Sequence, residues 1–206
     1  LRRLVIDSAT EACSVGLFDG DDLVAGAYAM LGRGHAEQLV PMIAALPNKG
    51  RADLIAVNTG PGSFTGIRVG LAAARALSLA WAAPLAGYSS LALVAAMAQA
   101  AHPGTAIDVV MTGGHGEWFF QPFDADGRAF AKAASLSPDQ VAAESLADCL
   151  AGSQAEALLG RRRGKVLITV PLWPDARAFA CLAANALRPD PLPRYGRAPD
   201  ARLPAA

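Results

Sequence analysis

Gly60-Pro61-Gly62-Ser63-Phe64-Thr65-Gly66-Ile67-Arg68-Val69-Gly70 is the stretch from which the fold can be read. It opens on a turn that Gly and Pro build well: Gly60 and Gly62 can take positive φ where a chain leaves a strand, and Pro61 fixes its own φ. Ser63 follows as a candidate helix N-cap, able to accept from a free amide of the first turn. The helix predicted behind it, roughly 64–81, places Gly66, Gly70 and Ala74 on one face, where small residues let another helix backbone come close. The stretch therefore predicts a strand-to-helix turn at a crevice (Gly60, Pro61, Gly62, Ser63, Gly66) and a smooth helical face for docking.

Upstream of this turn, residues 54–58 are an apolar strand feeding it. Further back, 4–6 read as a buried strand ending at Asp7, 12–18 as a second strand, 19–21 as a hairpin turn and 23–30 as a third strand. Residues 35–46 have helical spacing through Leu39, Met42, Ile43 and Leu46, with Pro41 expected to bend the helix. Downstream, 84–87 read as a short strand and Ser89 or Ser90 as the cap of a helix to about 101. The order β-β-β-α-β-α-β-α implies an antiparallel meander followed by parallel strands. The fold class is α/β with three-layer mixed sheets, the ribonuclease H-like core of two-lobed actin-like ATPases.

Beyond residue 101 the pattern weakens. Strands are expected at 107–111, 118–123 and 166–170, and helices at 138–150 and 175–187. Residues 161–165 form a basic loop, and 188–206, rich in Pro and Arg, an extended tail. The lobes divide near residue 100: 1–100 is a ribonuclease H-like lobe and 101–206 a smaller lobe with the tail.

Apolar residues make up 53% of the 206 and charged residues 17%, which argues against a disordered chain. Eighteen basic and eighteen acidic residues cancel, so no strong field draws in nucleic acid. Such a neutral, apolar chain is expected to self-associate or take a partner. Three cysteines without C-x-x-C spacing fit neither a disulfide framework nor a cysteine zinc site and suit a reducing cytoplasm. The start, Leu1-Arg2-Arg3-Leu4, does not read as a signal peptide. The longest apolar stretch, near 69–87, is broken by Arg75 and Pro84, so no membrane helix is expected.

Several motifs carry possible chemistry. Asp7, Ser8 and Thr10 end the first strand, where an ATPase of this architecture holds hydrated Mg²⁺ and lets a phosphate approach; a polar turn bonded to its own backbone is the favoured reading of them. The glycine turn could receive an anion at a helix N-terminus, but no Gly-Lys-Ser/Thr follows it. Thr112-Gly113-Gly114-His115-Gly116-Glu117 reads as a hairpin turn. His35, His102 and His115 form no His-x-x-x-His pair, and no serine sits in a Gly-x-Ser-x-Gly elbow. These absences speak against a metalloprotease and a serine hydrolase; the expected metal and catalytic sets are empty. The loop Arg161-Arg162-Arg163-Gly164-Lys165 and the terminal Arg194-Tyr195-Gly196-Arg197 could meet phosphate, or be solvated and packed on the body respectively.

Ile6-Asp7-Ser8-Ala9-Thr10-Glu11-Ala12-Cys13-Ser14-Val15, then His35 with Leu39-Val40-Pro41-Met42, then the quoted glycine stretch, resemble the TsaB (YeaZ) family. Gly116-Glu117-Trp118-Phe119 and Tyr195-Gly196-Arg197 extend the match more faintly. The resemblance implies the bacterial machinery that makes N6-threonylcarbamoyladenosine at position 37 of ANN-decoding tRNAs. It implies a non-catalytic subunit partnered by a TsaD-like catalytic paralogue and a TsaE-like ATPase, with tRNA met through the complex and a homodimer when alone. No cofactor is implied on this subunit, though ATP or ADP can sit at the complex. The catalytic paralogue needs paired histidines on its first helix, and here Leu39 stands four residues after His35. Carried over by position, the docking interface falls on His35, Leu39, Met42, Ile43, Ile67, Gly70, Leu71 and Ala74. Many relatives have Asp-Ala-Arg-x-Gly-Glu where this chain has Thr112–Glu117. The alternative is an enzyme, a nucleotide-dependent transferase using Asp7 and the glycine turns.

Overall fold

The computed structural model describes residues 1–196; Arg197 and the remainder of the tail expected to be extended lie outside the described residues. Strands β1 (Arg2–Asp7), β2 (Ala12–Asp19), β3 (Asp22–Met30), β4 (Leu54–Asn58) and β5 (Leu85–Tyr88) make one sheet in the order β3-β2-β1-β4-β5. The β1-β2-β3 meander is antiparallel, and β4 and β5 run parallel to β1. A second sheet has the order β10-β9-β6-β7-β8. It is built from β6 (Ile107–Thr112), β7 (Trp118–Phe123), β8 (Ala134–Leu136), β9 (Cys149–Ala151) and β10 (Ile168–Val170).

The helices fall into layers according to where their apolar side chains point. On α1 (His35–Ala44) and α2 (Phe64–Trp81), Leu39, Ile43, Ile67, Leu71 and Ala74 bury against Leu4, Ile6, Ile55 and Val57 of the first sheet. Helix α3 (Ser90–Ala101) is apolar on nearly all sides, Ser90 and Gln99 excepted, as suits a helix between two sheets. Its Leu93 and Met97 join Val5, Phe18 and Tyr88 of the first sheet, while Leu91, Val94, Ala95 and Ala98 pack on Ile107, Val109 and Phe119 of the second. Helices α4 (Pro138–Glu144) and α5 (Ala155–Leu159) cover the far face of that sheet through Val141, Ala155 and Leu158. Each sheet is thus flanked on both faces, with α3 shared between them. This is the two-lobed, actin-like arrangement with three-layer mixed sheets.

Two expected helices are corrected. The 138–150 segment is helical only to Glu144. Buried Asp108 accepts from Ser145 Oγ at 2.7 Å and from the amides of Leu146 and Ala147 at 2.8 and 2.9 Å. Those donors leave the helical path and the chain enters β9. The 175–187 segment forms two 3-10 turns, Ala176–Cys181 and Ala184–Ala186. Asp175 accepts from the Arg177 amide, and Phe179 packs between Phe18 and Tyr88, with centroids at 6.0 and 5.5 Å. The short elements β8 and α5 carry no periodicity long enough to read.

The chain beyond β10 returns to the first sheet. Ala176 N donates to Ser14 Oγ at 2.9 Å, and Arg188 exchanges two backbone hydrogen bonds with Gly87 of β5, at 2.8 and 3.0 Å. Among the described residues no helix is long and apolar enough to cross a membrane.

Candidate functional site

Three polar residues sit in a row across the ends of β1, β4 and β5. Register places Ile6 opposite Val57 and Asn58 opposite Tyr88, so Asp7, Asn58 and Tyr88 become neighbours. Asn58 Nδ2 donates to Asp7 Oδ2 at 2.6 Å, and the Tyr88 hydroxyl donates to the same oxygen at 2.9 Å. The Ala9 amide donates to Asp7 Oδ1 at 3.3 Å. Asn58 Oδ1 in turn accepts from the Gly60 amide at 2.7 Å and from Ser90 Oγ at 2.9 Å. Every member is buried, Asp7 at 0% exposure.

Burial raises the Asp7 carboxyl from 3.8 to about 7, against the lowering effect of the hydrogen bonds from Asn58, Tyr88 and Ala9. The Tyr88 hydroxyl is pushed well above 10 by burial and by the Asp7 charge. These residues do not fit a hydrated Mg²⁺ with nucleotide: the carboxylate that would hold the ion's water shell is enclosed, and its oxygens already serve three internal donors. Asn58, Tyr88 and Ser90 were not among the sequence-derived candidates. A polar residue closing the apolar run 54–58 was the one available signal.

The turn above Asp7 is closed in the same way. Ser63 caps α2, its Oγ accepting from Gly66 N at 3.3 Å. The Ser63 amide donates to Ala9 O at 2.7 Å, so it faces the chain rather than an anion. Gly60 has φ of 99°. Gly62, expected to share that conformation, does not; it is glycine because a Cβ there would collide with the Ala9 carbonyl oxygen. Thr10, Gly62, Gly113 and Gly114 line a crevice of only about 200 Å³ between the sheets. The 113–117 turn joins antiparallel β6 and β7, with Gly113 N donating to Glu117 O and Glu117 Oε2 accepting from Ser135 Oγ at 2.7 Å.

The face expected to dock turns inward. A Cβ on Gly66 would strike the Ser8 carbonyl oxygen, and one on Gly70 would meet Ser8 Oγ at 2.6 Å. Ser8 Oγ donates to Gly66 O at 2.9 Å. The Gly66/Gly70/Ala74 line therefore serves close approach of α2 to its own sheet, not to another molecule. His35, Leu39, Ile43, Ile67, Leu71 and Ala74 are likewise buried within the chain. Of the eight positions named for the interface, Met42 alone is half-exposed. His35 Nε2 is buried without a hydrogen-bond partner. The outer face of the helix pair is made by residues between those named: Val40 on α1, and Thr65, Arg68, Ala72, Ala76 and Leu79 on α2. Leu79 is 87% exposed.

The basic loop is partly tied down. Arg161 pairs with Asp139 at 3.1 Å and lies over the Trp118 ring, and Arg162 donates to Ala147 O. Arg163 and Lys165 remain exposed.

Residues 29–187 match the family model described as TsaD, tRNA N6-adenosine threonylcarbamoyltransferase. The tRNA threonylcarbamoyladenosine biosynthesis protein TsaB of Escherichia coli K12 is 32% identical over 131 residues, 61% of this chain and 56% of that one. The TsaB protein of Haemophilus influenzae is 40% identical over 107 residues, 49% of this chain and 43% of that one. Among solved structures, YeaZ from Pseudomonas aeruginosa superposes with a TM-score of 0.78 at 28% identity, covering 90% of this chain and 91% of that one. The chain belongs to this family, as a member of the TsaB/YeaZ group. The alignments span about half the length of the curated TsaB relatives. The first lobe of this TsaB/YeaZ family member contains the sealed Asp7 row and the inward glycine line together.

Proposed function

We propose that this chain is a non-catalytic subunit of the machinery that forms N6-threonylcarbamoyladenosine in tRNA, and that it works by docking on the catalytic paralogue. The enclosure of Asp7 carries this reading. An actin-like subunit that used nucleotide for chemistry would keep its strand-end carboxylate open to a metal's water shell; here Tyr88 and Asn58 occupy it. The names of the relatives, TsaB biosynthesis proteins and a threonylcarbamoyltransferase family, supply the pathway.

Docking is assigned to the first-lobe helix pair, on its outer face. Ala72, Ala76, Leu79 and Val40 are exposed beside half-buried Met42, Val69 and Ala73, giving a low, apolar surface that another helix pair can approach closely. Arg68 and Arg75 stand at its margin. In the absence of the paralogue the same face pairs two copies of this chain. The two lobes, 1–100 and 101–206, are proposed as the units that keep this face rigid while the TsaE-like ATPase and tRNA are met through the assembled complex. Co-purification with a TsaD-type partner tests the reading: Ala76→Arg should abolish association without lowering the melting temperature, and unchanged association would refute the assigned face.

A further inference from the structure

A second cleft, of about 790 Å³, opens outside the carboxyl ends of β4 and β5. That volume is in the range of small-molecule sites. It shares no lining residue with the crevice at Thr10 and Gly113, and no residue of α1 or α2 lines it. One wall is the returning chain. Arg188 is fixed to Gly87 by its two backbone hydrogen bonds, and the Arg194 amide donates to Thr59 O at 2.7 Å. Thr59 is itself bonded to Tyr88 O at 2.9 Å, so two arginines six positions apart are anchored on neighbouring strand ends. The opposite wall carries Lys132, on a loop held by Gln121 Nε2 donating to Ala131 O at 2.8 Å and by Phe130 N donating to Pro122 O at 3.0 Å.

No described carboxylate forms an ion pair with Arg188, Arg194 or Lys132, whereas Arg3, Arg161 and Arg177 each have an aspartate. Asp190 lines an adjoining hollow with both cleft arginines and pairs with neither. Partial desolvation and the neighbouring Arg188 charge hold the Arg194 guanidinium below its usual range. Folding thus brings like charges together at a cavity where no carboxylate among the described residues is paired with them, an arrangement that an anion would relieve. Guanidinium forks match phosphate oxygens in pairs. Phe130, 70% exposed on the cleft wall, offers an aromatic face, and Ser89 Oγ, which caps no amide of α3, adds a hydroxyl.

We propose that this cleft binds a small phosphate- or diphosphate-bearing ligand, its anion held by Arg188 and Arg194, with Lys132 closing from the opposite wall and the ligand's uncharged body against Phe130. The site stands independently of the docking role. The test is calorimetric titration of the full chain with inorganic pyrophosphate and with ADP, with amide NMR shifts to locate the site. One saturable site with shifts at Thr59, Ser89 and Phe130 is expected. It should weaken about tenfold or more in the Arg188→Gln/Arg194→Gln variant and a few-fold in Lys132→Gln, because charge-assisted hydrogen bonds to the anion are lost. Because all three side chains are exposed, melting temperatures should not change. No saturable binding, equal affinity in the double variant, or shifts centred on Thr10 and Gly113 would overturn the assignment. So would saturation by a single-stranded RNA oligonucleotide while pyrophosphate and ADP stay silent, an outcome that makes the cleft an RNA contact.

Discussion

Arg68 Nε donates to the Tyr195 hydroxyl at 3.1 Å across 127 positions of chain, while its guanidinium lies 3.6 Å from the centre of the Phe64 ring. Phe64 and Tyr195 meet as a tilted pair, with centroids 4.9 Å apart and planes at 40°. The first turn of α2 thereby holds the returning segment against the first-lobe core. Tyr195→Ala removes the hydrogen bond and the ring contact at a partly exposed site, and should cost ~1–2 kcal/mol. Urea unfolding measures the loss. Trypsin cleavage after Arg194 should accelerate in the variant before global unfolding does; the Arg188-Pro189 bond resists trypsin in both.

The inward packing of α2 makes a graded prediction. Gly66→Ala drives a Cβ into the Ser8 carbonyl, a backbone atom that can move only with the β1–β2 turn. Gly70→Ala meets the Ser8 hydroxyl, a side chain that can rotate away. Overpacking costs of ~1–3 kcal/mol are typical, and Gly66→Ala should lie at or above the top of that range with Gly70→Ala near the bottom. Chemical denaturation of the two variants gives the order, and the reverse order would mean that the helix does not approach the sheet in this way.

Asp7 sets a pH dependence whose sign is fixed by its raised carboxyl. The folded state holds the proton up to about pH 7, the unfolded state only to about 4. Folding therefore takes up a proton between these values. This contribution is most favourable below about pH 4 and declines as pH rises to about 7, by on the order of 4 kcal/mol in the limit. Urea midpoints of wild type and Asp7→Asn, followed from pH 4 to 8, should diverge with the wild type falling faster. Parallel curves would show that the carboxyl titrates normally.

In the second lobe, Asp108 replaces a turn of helix as the organiser of the chain between α4 and β9. Asp108→Ala leaves the Ser145 hydroxyl and two amides without their acceptor. An unsatisfied buried donor costs ~1–3 kcal/mol, so the variant should lose at least that much. Hydrogen exchange at Leu146 and Ala147 should become fast, since their amides then have no acceptor.

The first lobe was legible because its signals are local and strong: alternation in 12–18, a Gly-Pro turn, a capping serine and an 18-residue helix. The second lobe was less so. Its short elements, β8, β9, β10 and α5, have three to five residues each, too few for a period to emerge, and α4 ends where Ser145 meets a carboxylate 37 positions upstream. The helix expected near 175–187 failed because Phe179 is placed by Phe18 and Tyr88, contacts that no local pattern reveals. At the candidate site, Asp7 and the glycine turn could be picked out by residue type. Their closure by Asn58 and Tyr88 depends on strand register. The small-residue spacing of Gly66, Gly70 and Ala74 correctly marked a close approach, but spacing alone does not say whether the approaching surface belongs to the same chain.

In the proposed role this chain acts through its surface and not through Asp7. Reconstituted tRNA modification, with the paralogue and the small ATPase supplied, separates the two. Modification should require this chain, proceed with Asp7→Asn, and fail with Ala76→Arg although that variant folds. Modification by this chain alone, or loss of activity in a folded Asp7→Asn variant with Ala76→Arg fully active, would contradict it.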